Sequence, residues 1–249
     1  MLDNSRRLVT MIRRTTILAA AALLTLSACS SEEGTSSTAT PTPAADQTTE
    51  PVSYECTDPL AGSPSEVDAF DLIVCSTLAL AATDGYVTTS TVEGSGTTVL
   101  RVNGDPFTVE VSYPDDTAII ANETDAWVDN GSGEWQRADV TSSDYLIAQA
   151  SQVFDTYKNS QDPAKSTADI PEGTTYTVEG TEEIDGVEYH ILSAEFNDGS
   201  STSTLRMWIG PDYRQQRMLV SIVSEDTNPL LVETEYVEWD VAQDITLPE

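Results

Sequence analysis

Two lysines, Lys158 and Lys165, and a single histidine, His190, stand in a chain of 249 residues that carries 42 acidic side chains. Only 11 residues are basic and the formal net charge is −31. A surface this poor in cations repels nucleic acid and anionic headgroups, and no basic stripe exists to overcome that. With one histidine inside an apolar segment, no Gly-x-Ser-x-Gly and no phosphate-binding glycine loop, nucleophilic catalysis has no visible parts. Paired carboxylates such as Asp115-Asp116 and Glu182-Glu183 are expected by chance in so acidic a chain and carry no glycosidase specificity. The expectation is a protein without catalytic residues, metal site or cofactor.

Cysteine is scarce as well: Cys29, Cys56 and Cys75. The apolar stretch from Ile17 to Ala28 is 12 residues long, short of the ~20 that cross a bilayer as a helix. It follows Arg13-Arg14 and ends in Leu26-Ser27-Ala28-Cys29. A basic start, an apolar core and small residues before a cysteine make a lipobox. A lipoprotein signal peptidase cutting between Ala28 and Cys29 would leave Cys29 as the acylated N-terminus. Residues 1–28 are therefore a signal peptide, with Leu26, Ser27 and Ala28 read by the peptidase; Met1 and Met11 both serve as possible starts. Arg13-Arg14 lacks the rest of a twin-arginine pattern and reads as an ordinary basic n-region. The product is exported and anchored to the outer face of the cell membrane.

Removing residues 1–28 takes four basic residues and one acidic residue, leaving 7 against 41, a charge of −34. Residues 30–50, within the segment 29–51, are mostly Ser, Thr, Pro, Ala, Glu and Gln with no large apolar side chain, a composition too polar to offset its ordering entropy. They form a tether of roughly 25 Å typical reach. Residues 52–249 are the size of one domain. Cys56 and Cys75 lie in a chain bound for an oxidising exterior and are expected to form a disulfide; two cysteines alone make a poor zinc site.

Ser63-Pro64-Ser65-Glu66 has the form of a capping box, and Val67, Phe70, Val74, Leu78 and Ala81 follow at helical spacing, predicting a helix over about 64–83 that stops at Gly85. The period then changes to two. Segments 86–92, 97–102, 107–113, 118–121 and 126–128 read as short antiparallel strands. Asp129-Asn130-Gly131-Ser132-Gly133 resembles a calcium loop in composition, but its ligand spacing is wrong and a hairpin turn uses the same residues. A second helix, about 142–158 with Thr141 or Ser142 as cap, carries Leu146, Ala150, Val153, Phe154 and Tyr157 on one face. Strands at 174–184, 187–196, 203–209, 217–224 and 230–240 follow, with Asp185-Gly186 and Asn197-Asp198-Gly199 as turns.

This order predicts an α+β fold, an antiparallel sheet with helices gathered on one side. In 187–196, 203–209 and 217–224 apolar residues fall on both alternating faces, which fits a strongly curved sheet with an apolar concave side under the helices, or ordinary core packing.

The chain resembles the LppX/LprG-type lipoproteins of actinobacteria, relatives in fold of the LolA and LolB carriers. The resemblance rests on the lipobox, the tether, the early helix and the hairpin from Ala126-Trp127 to Glu134-Trp135. It extends to Ile184-Asp185-Gly186-Val187-Glu188-Tyr189-His190, Leu205-Arg206-Met207-Trp208-Ile209-Gly210-Pro211-Asp212 and Tyr236-Val237-Glu238-Trp239-Asp240. It implies a half-barrel closed by helices around a cavity, and a monomer that binds or carries an acylated lipid or glycolipid. The acidity and the Cys56/Cys75 pair depart from the family. Candidates for the inner side of a helical lid are Phe70, Val74, Leu78, Leu146, Val153 and Phe154; the alternative for these six is a filled core. Two rival readings are a surface interaction or sensor module without lipid, and an acidic scaffold loaded with divalent cations.

Overall fold

A computed structural model describes residues 53–197, 199–224 and 228–248. The expected signal peptide, with its peptidase site at Leu26, Ser27 and Ala28, the expected anchor Cys29 and nearly all of the expected tether lie outside the described residues.

Twelve strands form one sheet, with every described pairing antiparallel. The chain enters through β1 (Glu66–Asp68) and α1 (Ala69–Ala81), then runs β2 (Gly85–Val92), β3 (Gly96–Asn103), β4 (Thr108–Ser112), β5 (Thr117–Asn122), β6 (Ala126–Asn130) and β7 (Trp135–Arg137). Helices α2 (Tyr145–Asn159) and α3 (Pro163–Ser166) separate this meander from a second: β8 (Thr175–Ile184), β9 (Val187–Asn197), β10 (Ser201–Ile209), β11 (Gln215–Ser224) and β12 (Leu230–Trp239). The spatial order is β1-β8-β9-β10-β11-β12-β2-β3-β4-β5-β6-β7. Sequence-neighbouring strands pair throughout both meanders, and the β12–β2 pair joins them.

The first helix starts later than the sequence predicts. Glu66–Asp68 pairs with β8 instead of coiling, and the Ser65 carbonyl accepts from the Val178 amide at 2.9 Å. Long-range ladder bonds thus override the local capping box. Asp68 becomes the cap, its Oδ1 accepting from Phe70 N at 2.9 Å and Asp71 N at 3.3 Å. Gly85 is not the helix stop either. The helix ends at Ala81 and Gly85 opens β2, where a Cβ would meet the carbonyl oxygens of Val241 and Val102 at 2.6 and 2.7 Å. Likewise α2 is capped by Asp144, whose Oδ1 accepts from Leu146 N at 2.9 Å, and not by Thr141 or Ser142. The short strand β1 and the single turn α3 escape sequence reading because three or four residues display no period, whereas β7 is the second arm of the expected 126–135 hairpin.

The turns follow local chemistry. Asp185 and Gly186 take φ of 52° and 81°, the left-handed pair of a tight hairpin between β8 and β9. In the 129–133 loop the Asp129 carboxylate accepts from the amides of Gly131, Ser132 and Gly133 at 2.9, 3.0 and 3.0 Å, so it closes the β6–β7 turn.

Register assigns the apolar core to one face. Across the sheet, Tyr236, Thr88, Leu100, Val111, Ile119 and Val128 line up on that face. Leu192, Met207, Met218 and Thr234 continue it. The face carries two separate clusters. One gathers Leu72 and Cys75 of α1 with Leu192, Met207, Met218 and Val220; the other gathers Ala150 and Val153 of α2 with Val102, Val109, Ile119 and Val128. The opposite face is apolar in places, with Trp208 between the guanidiniums of Arg206 and Arg217 at 5.1 and 5.0 Å from the ring centroid. Arg206 and Arg217 pair in turn with Glu179 and Glu233.

Cys56 and Cys75 are joined by a disulfide, Cα atoms 4.7 Å apart, which fastens the segment entering the domain to the buried side of α1. Tyr213 adds a second tie: its hydroxyl donates to Asp58 Oδ1 and accepts from Leu60 N at 3.3 Å.

Candidate functional site

Between the two clusters lies a cavity of about 340 Å³, lined by members of both. Leu72, Ile73, Ser76, Thr77 and Leu80 of α1 form one wall. The core face of the sheet contributes another, from Tyr86 and Thr88 on β2 to Met207 on β10. The C-terminal turn of α2, with α3 and the residues after it, supplies exposed Thr156, Asn159, Lys165 and Asp169. Among the described residues of the lining, Lys165 and Asp169 alone are charged, and they are of opposite sign.

None of Phe70, Val74, Leu78, Leu146, Val153 and Phe154 is part of this lining. Phe70 is 43% exposed and tilts against Tyr54 with ring centroids 6.4 Å apart. Leu146, Val153 and Phe154 belong to the second cluster, where Phe154 meets the Phe107 ring edge-on at 5.4 Å. These three are filled core. For α1 the spacing was sound and the face was wrong: the helix has apolar residues on more than one side, so periodicity alone could not choose between the Phe70/Val74/Leu78 row and the Leu72/Ser76/Leu80 row. The signal available in the sequence was polarity, since Ser76 and Thr77 in the apolar second half of the helix mark a wall with something other than close packing behind it.

At one end of the cavity the side chains are aromatic. Tyr236 and Trp239 stack with centroids 4.6 Å apart and planes 3° from parallel, and Tyr86 leans on both at 5.8 and 5.7 Å. Two residues three apart on a strand should point to opposite faces. Here the ladder slips between Tyr236 and Glu238, so that Tyr236 faces Thr88 while Trp239 faces Tyr86, and both rings reach the core side. Tyr157 of α2 completes the group. Burial pushes its phenol upward, as it does that of Tyr86, and the neighbouring tyrosines add to both shifts. Tyr236 is pushed up to about 12 by burial. All three stay neutral at any physiological pH.

His190 lies on β9 opposite Ile209 and is absent from the cavity lining. Among the described residues no group of three or more His, Cys, Asp or Glu side chains converges as metal ligands, and no helix is long and apolar enough to cross a membrane.

No protein-family profile matches the sequence, and no curated protein matches it. Several solved structures are similar to it, among them the following two. One, an uncharacterized conserved protein from Thermus thermophilus, is 12% identical with a TM-score of 0.36 over 72% of this chain and 90% of that chain. The other, a LolA superfamily protein from Nitrosomonas europaea, is 10% identical with a TM-score of 0.26 over 72% of this chain and 96% of that chain. Likeness at that level leaves the reading of the site to its own geometry.

Proposed function

We propose that this protein is a non-enzymatic, membrane-anchored lipoprotein, acylated at Cys29, that binds or carries an acylated lipid in the cavity between its two core clusters. In this reading the sheet is a LolA-like half-barrel whose concave face is closed by α1 and α2, and the domain works as a monomer at the outer face of the cell membrane.

The observation that carries it is the apolar void itself. Protein interiors are close-packed, and an empty space of about 340 Å³ falls in the size range of small-molecule sites, roughly 300–1,000 Å³. Filling it with hydrocarbon gains about 0.8 kcal/mol per buried CH₂. The lipobox supplies the reason for lipid to be at hand, and the acidic surface keeps the domain from lying on anionic headgroups while the tether holds it near.

Native mass spectrometry of the chain, secreted from an envelope-lipid-producing host with Cys29→Ala and purified without detergent, tests this. A bound mass that solvent extraction returns as a host lipid is the expected result. A clean apo mass that takes up no offered lipid overturns it and favours the interaction or sensor module, for which the strongly acidic surface is the supporting feature.

A further inference from the structure

The hydroxyls of Tyr86, Tyr157 and Tyr236 make no hydrogen bond with any described residue, although Tyr86 is only 2% exposed and all three rings line the cavity. None of the three oxygens is sealed off, so each is accessible to an occupant of the cavity. Tyr213, on the same lining, shows the paired case, its hydroxyl shared between Asp58 and Leu60. On the α1 wall Ser76 Oγ is buried without a partner. The three phenols gather at one end of the space, and Leu72, Met207 and Met218 are among the apolar residues of its wall.

Size limits the occupant. At about 340 Å³ the cavity lies at the low end of small-molecule sites, roughly 300–1,000 Å³. That suits one medium-length chain, not two or three. Charge limits it further: Lys165 and Asp169 cancel, the tyrosines are neutral, and no other described residue of the lining is charged.

We infer that the cavity takes a single-chain amphiphile with an uncharged, acceptor-bearing head, such as a monoacyl ester, whose oxygens receive the hydroxyls of Tyr86, Tyr157 and Tyr236 while the chain lies along Leu72, Met207 and Met218. The inference rests on the cavity being a lipid site and adds the number of chains and the nature of the head.

The test titrates the full chain carrying Cys29→Ala with monolauroylglycerol, dilauroylglycerol and dodecane, read by the fluorescence of Trp239 in the wall. Monolauroylglycerol should bind one to one, at least tenfold tighter than either other probe. The triple variant Tyr86→Phe/Tyr157→Phe/Tyr236→Phe should lose at least tenfold for monolauroylglycerol and nothing for dodecane, whose retained binding shows that the variant is folded. Should the triple variant bind neither, Tyr157→Phe alone decides, and an unchanged preference for monolauroylglycerol overturns the hydroxyl role. Dodecane binding as tightly as monolauroylglycerol overturns the head assignment, and dilauroylglycerol binding as tightly overturns the single chain, each leaving the lipid site intact. Silence from all three probes overturns the lipid site as well.

Discussion

The two halves of the core face are built from similar residues and packed to different ends. Beneath β3–β6, α2 presses Ala150 and Val153 onto Val109, Ile119 and Val128, all at most 5% exposed. Small and β-branched side chains there meet a helix at close range. Towards β12 and β2 the walls are Tyr86, Tyr236, Trp239 and the polar side of α1, and the space stays open. Large rings braced against one another prop the walls apart, where small residues would let them collapse. A twelve-stranded sheet is too wide for the two helices to cover with a single core, so the gap falls where their footprints end.

The filled half should respond most sharply to mutation. Ile119→Ala is expected to cost about 3–4 kcal/mol in urea unfolding, because the side chain is fully buried among neighbours that cannot relax. Removing the disulfide with Cys56→Ser/Cys75→Ser frees a loop closed at a sequence separation of 19, worth about 3 kcal/mol in the chain-entropy model, and should lower Tm without changing amphiphile binding.

Alkaline titration separates the halves again. Tyr236 ionises near 10 when unfolded and only near 12 when folded. Its burial therefore contributes fully below pH 10, and that stability is lost as pH rises through 12, on the order of 2–3 kcal/mol for this one group. Tyr236→Phe should move the alkaline unfolding midpoint upward, measured by circular dichroism; an unmoved midpoint contradicts a buried, unpartnered phenol. Leu80→Ala, at the cavity, should cost about 1 kcal/mol in urea unfolding, below the 2–5 kcal/mol of a close-packed site; a cost equal to that of Ile119→Ala would break the comparison. Smallest in stability is Leu80→Trp, which fills existing space and should change unfolding by less than about 1 kcal/mol while abolishing uptake of monolauroylglycerol.

Most elements were legible because their signals are local. Asp185-Gly186 announces its turn, and alternation places most of the strands within a residue or two. The capping box at Ser63–Glu66 misled for a physical reason: β1 is three residues long and its stability comes from β8, more than a hundred residues away in sequence. The candidate site was read on the right helices and the wrong residues. The sequence displays Tyr236 and Trp239 three apart, and only the slipped ladder turns them to one side.

What the sequence determined by itself is the acidic charge and the alternation that makes an antiparallel sheet, since each depends on composition or on neighbours along the chain. Which face of α1 meets the cavity, where the two cores part and which tyrosines are left without partners were decided by the tertiary structure. Those features depend on distances between segments far apart in the chain, and a helix with apolar residues on more than one side fits its neighbours in more than one rotation until the sheet beneath it selects one.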